Sequence, residues 1–138
     1  MESSRNALII SDSVQLTEEL KELLNKLDIP VVAANSDKEA LNRFFALIPT
    51  FTFLDLDSET IRAQPLAKIV QDSEATKLSL IYKKHHNLKW LYGESEKVCF
   101  IKKPITLAKL NDIVNPHLRF ANLLDEAKAL LRRETGGH

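Results

Sequence analysis

The sequence predicts an α/β fold: a three-layer, doubly wound (βα)5 sandwich whose five-stranded parallel sheet carries helices on both faces, followed by a C-terminal extension helix. Three observations support this. Five short apolar runs alternate with stretches of helical periodicity along most of the chain. The run Phe51-Thr-Phe-Leu-Asp-Leu-Asp57 ends abruptly in carboxylates, as a buried strand does when it delivers acidic residues to its carboxyl end. The length also fits: 138 residues, 44% hydrophobic, supply one domain with a sizeable core and one extra helix, but no second domain.

Taken in order, Ala7–Ile10 is the first strand and stops at Ser11-Asp12-Ser13. Leu16, Leu20, Leu23, Leu24 and Leu27 then recur at helical spacing among Glu18, Glu19, Lys21 and Glu22, which predicts an amphipathic helix with Thr17 as its cap. Ile29–Ala33 is the second strand, with Pro30 near its start, where a missing N–H is tolerated. Ser36-Asp-Lys-Glu39 matches a capping box and opens a helix through Ala40, Leu41, Phe44 and Phe45 that ends near Pro49. After the third strand, residues 58–71 carry a weaker helical pattern interrupted by Pro65.

Leu78–Tyr82 is the fourth strand, followed by Lys83-Lys-His-His86 and a short helix with Leu88, Trp90 and Leu91 that stops at Gly93. Val98–Ile101 is the fifth strand, and Thr106 caps a helix through Leu107, Leu110, Ile113 and Val114. Pro116 breaks or kinks that helix, or opens a new one. Beyond it Phe120, Leu124, Ala127 and Leu131 keep a four-three-four spacing that needs a partner surface. The expected organisation is a domain over 5–115, a linker or dimerisation helix over 116–133 and a disordered tail over 134–138.

Composition narrows the function. Lys plus Arg and Asp plus Glu are both 19, so net charge gives no pull toward nucleic acid or membrane. The single cysteine, Cys99, cannot form an internal disulfide, the first residues lack the order of a signal peptide, and no apolar run reaches membrane-spanning length. A cytoplasmic protein is expected.

Parallel strands with right-handed crossovers place all carboxyl ends on one rim, bringing Asp12, Asp55, Tyr82 and Lys103 to it. Two carboxylates there suit a hard divalent cation such as Mg2+, and Lys103 adds a compact positive charge. Such a grouping can hold a phosphoryl group, and it would let the Asp55 carboxylate act as nucleophile toward phosphorus. The bland readings are a capping role for Asp55, a solvated Lys103, a half-buried Tyr82, and a solvated loop for His85 and His86. Trp90 and Leu91 read as core contacts, and Lys128, Arg132 and Arg133 as a solvated helix end.

In element order, and in Asp12 after strand one, Asp55 ending strand three and Lys103-Pro104 after strand five, residues 5–115 resemble the receiver domain of bacterial two-component response regulators. The resemblance implies a flavodoxin-like receiver fold in which Asp55 accepts a phosphoryl group from a histidine kinase or phosphotransfer protein. It further implies that Asp12, Asp55 and the backbone carbonyl of Asp57 hold Mg2+, that Lys103 pairs with the phosphate, and that Tyr82 and Phe100 stand at the switch positions. The departures are specific. Ser11 replaces the first of two adjacent acids, which weakens metal binding without abolishing it. Tyr82, with Lys83 as the one-residue alternative, stands where the family has Thr or Ser. Phe100 cannot hydrogen-bond, and Asp57-Ser-Glu-Thr60 replaces the usual Met-Pro and glycine loop.

Three functions follow. The first is a phosphorelay receiver, acting through association at the face of the fourth and fifth helices and the C-terminal helix, as a homodimer or as part of a longer chain with an output domain. The second is a phosphorylation-independent pseudo-receiver, a dimerisation or interaction scaffold with a decayed site. The third is remote: Asp55-Leu-Asp57 followed by Thr60 also resembles the opening motif of haloacid-dehalogenase-type phosphatases, although about fifty residues of βαβα precede it and lysines, not acids, follow strand five.

Overall fold

A computed structural model describes residues 5–86, 98–115 and 127–131 of the chain. Five parallel strands, β1 (Ala7–Ile10), β2 (Val31–Ala34), β3 (Phe51–Asp55), β4 (Lys77–Tyr82) and β5 (Val98–Lys102), form one sheet in the order β2-β1-β3-β4-β5. Helices α1 (Val14–Lys26), α2 (Asp37–Leu47) and α3 (Ala63–Ser73) link the first four strands. Because β1 to β2 steps one way across the sheet and β2 to β3 steps back past β1, right-handed crossovers put α1 and α2 on opposite faces. One core cluster accordingly gathers Ala40 and Phe44 of α2 with Leu66, Ala67 and Val70 of α3 against Leu8, Ile10, Leu54, Leu78 and Leu80. The central strands β1 and β3 are buried along their whole length, as strands covered on both faces must be.

The strand register is what positions the functional rim. Ile10 pairs with Leu54 and Asp55 with Ile81, so Ser11, just beyond β1, comes level with the end of β3. The helix starts differ in part from the sequence expectation. Ser13, not Thr17, caps α1: its Oγ accepts the Leu16 N–H at 3.2 Å, and Thr17 lies inside the first turn with its hydroxyl donating to the Ser13 carbonyl. The β2 strand starts at Val31, after Pro30, whose carbonyl accepts the Ala7 N–H. Helix α3 begins only at Ala63, which places Pro65 in its first turn, where no intrahelical N–H is lost. Residues 58–62 are thereby released as a loop over the strand ends.

The capping box of α2 is present in altered form. Ser36 Oγ accepts the Glu39 N–H at 3.2 Å, while Glu39 reaches back one residue further than expected, to the Asn35 N–H at 2.8 Å. Ser36→Ala is expected to cost about 1 kcal/mol in urea unfolding. A change within the error of the measurement would show that Glu39 alone holds the helix start.

The chain divides into two compact units, 1–106 and 107–138. In the second, residues 107–115 are helical, with Leu110, Ile113 and Val114 buried, and residues 127–131 are helical, with Ala127 and Leu131 exposed. Phe120 and Leu124, the helix expected around Trp90, and the break at Pro116 lie outside the described residues. No described helix is long and apolar enough to cross a membrane.

Candidate functional site

The site is built on Asp55, the last residue of β3, which is 2% exposed. Burying a carboxylate this deeply is tolerable only if its oxygens are hydrogen-bonded and its charge is compensated. Both conditions are met by neighbouring strand ends. Ser11 Oγ, from the end of β1, donates to Asp55 Oδ2 at 2.7 Å and itself accepts the Ser13 N–H. Ser58 Oγ reaches the same oxygen at 3.3 Å. On the other oxygen, Oδ1, the Asp57 N–H donates at 3.0 Å and Lys103 Nζ stands at 3.1 Å.

Lys103 is aimed by its backbone. It follows β5 directly, and its N–H donates to the Tyr82 carbonyl. Its ammonium bridges Asp55 to Asp57, whose Oδ2 lies at 3.0 Å. Burial pulls the Lys103 pKa down, but hydrogen bonds to Asp57 and Asp55 and their charges outweigh it and leave the ammonium harder to deprotonate than usual. Asp57 also receives the Lys83 N–H at 2.7 Å, the Lys84 N–H at 3.3 Å and His86 Nε2 at 2.7 Å. Burial pushes the Asp57 carboxyl up, yet His86, Lys103 and the Lys84 N–H together hold it down at about 2.

Asp12 faces elsewhere. Its Oδ2 accepts the Glu59 N–H at 2.9 Å and both the N–H and hydroxyl of Thr60 at 3.0 Å, so it clamps the 58–60 loop. The Thr60 N–H above all holds its carboxyl below the usual range; burial opposes it, and the Thr60 hydroxyl, the Glu59 N–H and Ser58 help to outweigh that opposition. The Tyr82 ring is half-buried and packs on the core cluster, and Phe100 is 43% exposed on the edge strand β5. The structure therefore joins Asp55, Asp57 and Lys103 in one network and turns the Asp12 carboxylate to the loop, with Ser58 Oγ shared between the Asp12 N–H and Asp55.

Sequence reasoning missed three members of that network. From the sequence, Ser11 is only a missing acid, Ser58 part of a helix and His86 a solvated loop residue. Position relative to a strand end was the signal available for all three: each follows one within four residues, on the rim where Asp55 and Lys103 already stood.

No family model matches the sequence, and no curated protein matches it. Solved structures do. A response regulator receiver domain from Methylobacillus flagellatus is 24% identical over 83% of this chain and 98% of its own, with a TM-score of 0.68. The signal receiver domain of a putative LuxO repressor from Vibrio parahaemolyticus is 19% identical over 89% and 96%, with a TM-score of 0.70. The BeF3-activated N-terminal receiver domain of Klebsiella pneumoniae RstA is 16% identical over 83% and 99%, with a TM-score of 0.68. The chain has the receiver fold.

Within the receiver fold, the expected Mg2+ can be tested against the donors present. A dication of this kind takes several oxygens with free lone pairs and keeps part of its water shell. Here each Asp55 oxygen already accepts from two groups, Asp12 Oδ2 accepts three hydrogen bonds from the loop, and Ser11 offers a neutral hydroxyl. The donor set does not fit the ion. What the arrangement does chemically is neutralise buried carboxylates and tie four strand ends together.

Proposed function

We propose that the chain is a cytoplasmic receiver-type signalling module that works by protein association without taking a phosphoryl group on Asp55. The saturation of Asp55 supports this most directly. In-line attack on phosphorus needs a carboxylate lone pair facing the donor with room for the incoming group. At 2% exposure, with Ser11, Ser58, the Asp57 N–H and Lys103 on its two oxygens, Asp55 presents none. Association then runs through groups other than Asp55, with a second copy of the chain or an output domain as partner. Phe100 on the edge strand and the stretch around Ala127 and Leu131 are the segments assigned to it. The domain assigned to the fold is 5–115, with 116–133 as its linker.

The 3.1 Å contact of Lys103 with Asp55 favours one other reading, in which the lysine awaits a phosphate. A histidine kinase would then phosphorylate Asp55, Asp12 and the Asp57 carbonyl would hold Mg2+, and Tyr82 and Phe100 would respond. A phosphatase reading fares worse, because an acid/base at Asp57 with a pKa of about 2 carries no proton to donate at neutral pH.

Amide NMR with Mg2+ and beryllofluoride, an aspartyl-phosphate mimic, separates the two readings. Wild type and Asp55→Asn are expected to respond alike, and acetyl phosphate is expected to leave no acyl phosphate. Shifts at Asp55 and Lys103 that spread to Tyr82 and Phe100 and vanish in Asp55→Asn would overturn the association reading in favour of phosphoryl acceptance.

A further inference from the structure

The loop over Asp55 is fastened at every point where it could lift. Ser58 Oγ accepts the Asp12 N–H at 3.1 Å and meets Asp55 Oδ2 at 3.3 Å. Glu59 and Thr60 are held by the Asp12 carboxylate through three hydrogen bonds of 2.9–3.0 Å. Ile61 is buried in the core cluster. Arg62 then places its backbone N–H and Nε on the two oxygens of Asp37, at 2.9 and 3.1 Å. Lys103 Nζ bridges Asp55 and Asp57, and Asp57 is further engaged by His86 and the Lys83 and Lys84 N–H groups.

Resting on the association reading above, we propose that this rim is a cation-independent lock. Lys103 is the counter-ion of the two buried carboxylates, and Asp12, with no ion to bind, holds the 58–62 loop closed over them. A divalent cation at Asp55 would have to displace the Lys103 ammonium from Oδ1 or the Ser11 and Ser58 hydroxyls from Oδ2, and at Asp12 Oδ2 it would compete with three loop donors. Two positively charged centres cannot share Asp55 Oδ1 at hydrogen-bond distance without strong repulsion. The ammonium is covalently tethered and preorganised by β5, whereas the ion must first lose part of its water shell. The same groups that fill the site therefore exclude the metal that would prepare it for phosphoryl chemistry.

The test uses the full chain with Mn2+ as a paramagnetic probe in amide NMR, and Mg2+ against a chelator in thermal unfolding. Wild type is expected to show no selective broadening around Asp12, Asp55 and Ser58 at sub-millimolar Mn2+, and the same Tm with chelator as with millimolar Mg2+. Asp12→Ala is expected to speed amide exchange at Glu59 and Thr60 about tenfold or more while the Lys103 contacts persist. Lys103→Met is expected to gain a Tm that rises with Mg2+. Selective Mn2+ broadening in wild type, unchanged exchange in Asp12→Ala, or a Lys103→Met variant indifferent to Mg2+ would each overturn the lock. Asp12→Ala keeps the loop arm of the test available should Lys103→Met fail to fold. Mn2+ binding without an Asp55-dependent beryllofluoride response overturns the lock and leaves the association reading standing. A beryllofluoride response overturns the association reading itself.

Discussion

Lys103→Met lowers the stability of the chain by about 3 kcal/mol at neutral pH, because it removes one partner from a buried charge network and leaves the others uncompensated. The burial values decide the size of the effect. Lys103 is 20% exposed, Asp57 11% and Asp55 2%, so water screens none of the three well. An exposed lysine pair would be worth under about 1 kcal/mol. With the ammonium gone, Asp55 and Asp57 face each other as like charges, each still hydrogen-bonded but no longer neutralised. In a domain of this length the loss corresponds to a fall in Tm of roughly 10 °C. Urea unfolding of wild type, Lys103→Met, Asp55→Asn and the double variant checks the cause as well as the size. The double variant is expected to recover a large part of the loss, since the uncharged amide no longer needs the ammonium. A single-variant loss below about 1 kcal/mol would mean that solvent reaches the network.

Acid weakens the fold through Asp57. Its folded-state carboxyl is held at about 2, against an ordinary value of 3.8: burial opposes this, and the His86 and Lys103 hydrogen bonds, the Lys84 N–H and the Lys103 charge prevail. Because the folded pKa lies below the unfolded one, the folded state binds its proton later. The stabilisation is fully present above the unfolded value near 3.8 and is lost as pH falls through the folded value near 2. A depression of this size corresponds to about 2 kcal/mol. Lys103 stays charged throughout that window, so the loss belongs to the carboxyl and not to its partner. Asp12, also held below its ordinary value, by Thr60 first, pushes the profile in the same direction from an exposed position. Asp57→Asn is expected to be less stable at neutral pH and to flatten the stability profile between about pH 4 and pH 2 relative to wild type. Equal slopes in the two proteins would remove Asp57 from the account.

The limits of the sequence reading follow from which interactions are local. The run Phe51 to Asp57 was legible as a buried strand because an apolar run ending in carboxylates has few other homes, and its first five residues form β3. Ser36 and Glu39 were legible as a helix start because capping acts within a single turn. Thr17 misled, since Ser13 can serve the same helix one turn earlier and nothing in the local pattern ranks the two. The 58–62 segment misled more seriously. Its helical periodicity is real, but Asp12 and Asp37, 46 to 48 and 25 residues away in sequence, capture its backbone and polar groups first.

By itself the sequence determined the alternation of strands and helices, and hence a doubly wound sheet with Asp55 and Lys103 on one rim, because period and strand-end position are properties of short stretches of chain. Which way each rim carboxylate turns was decided only by the tertiary structure. Asp12, Asp55 and Asp57 are chemically alike, and each takes the donors that the register of β1, β3, β4 and β5 brings within about 3 Å: loop amides for Asp12, two hydroxyls and Lys103 for Asp55, and Lys103 with His86 for Asp57.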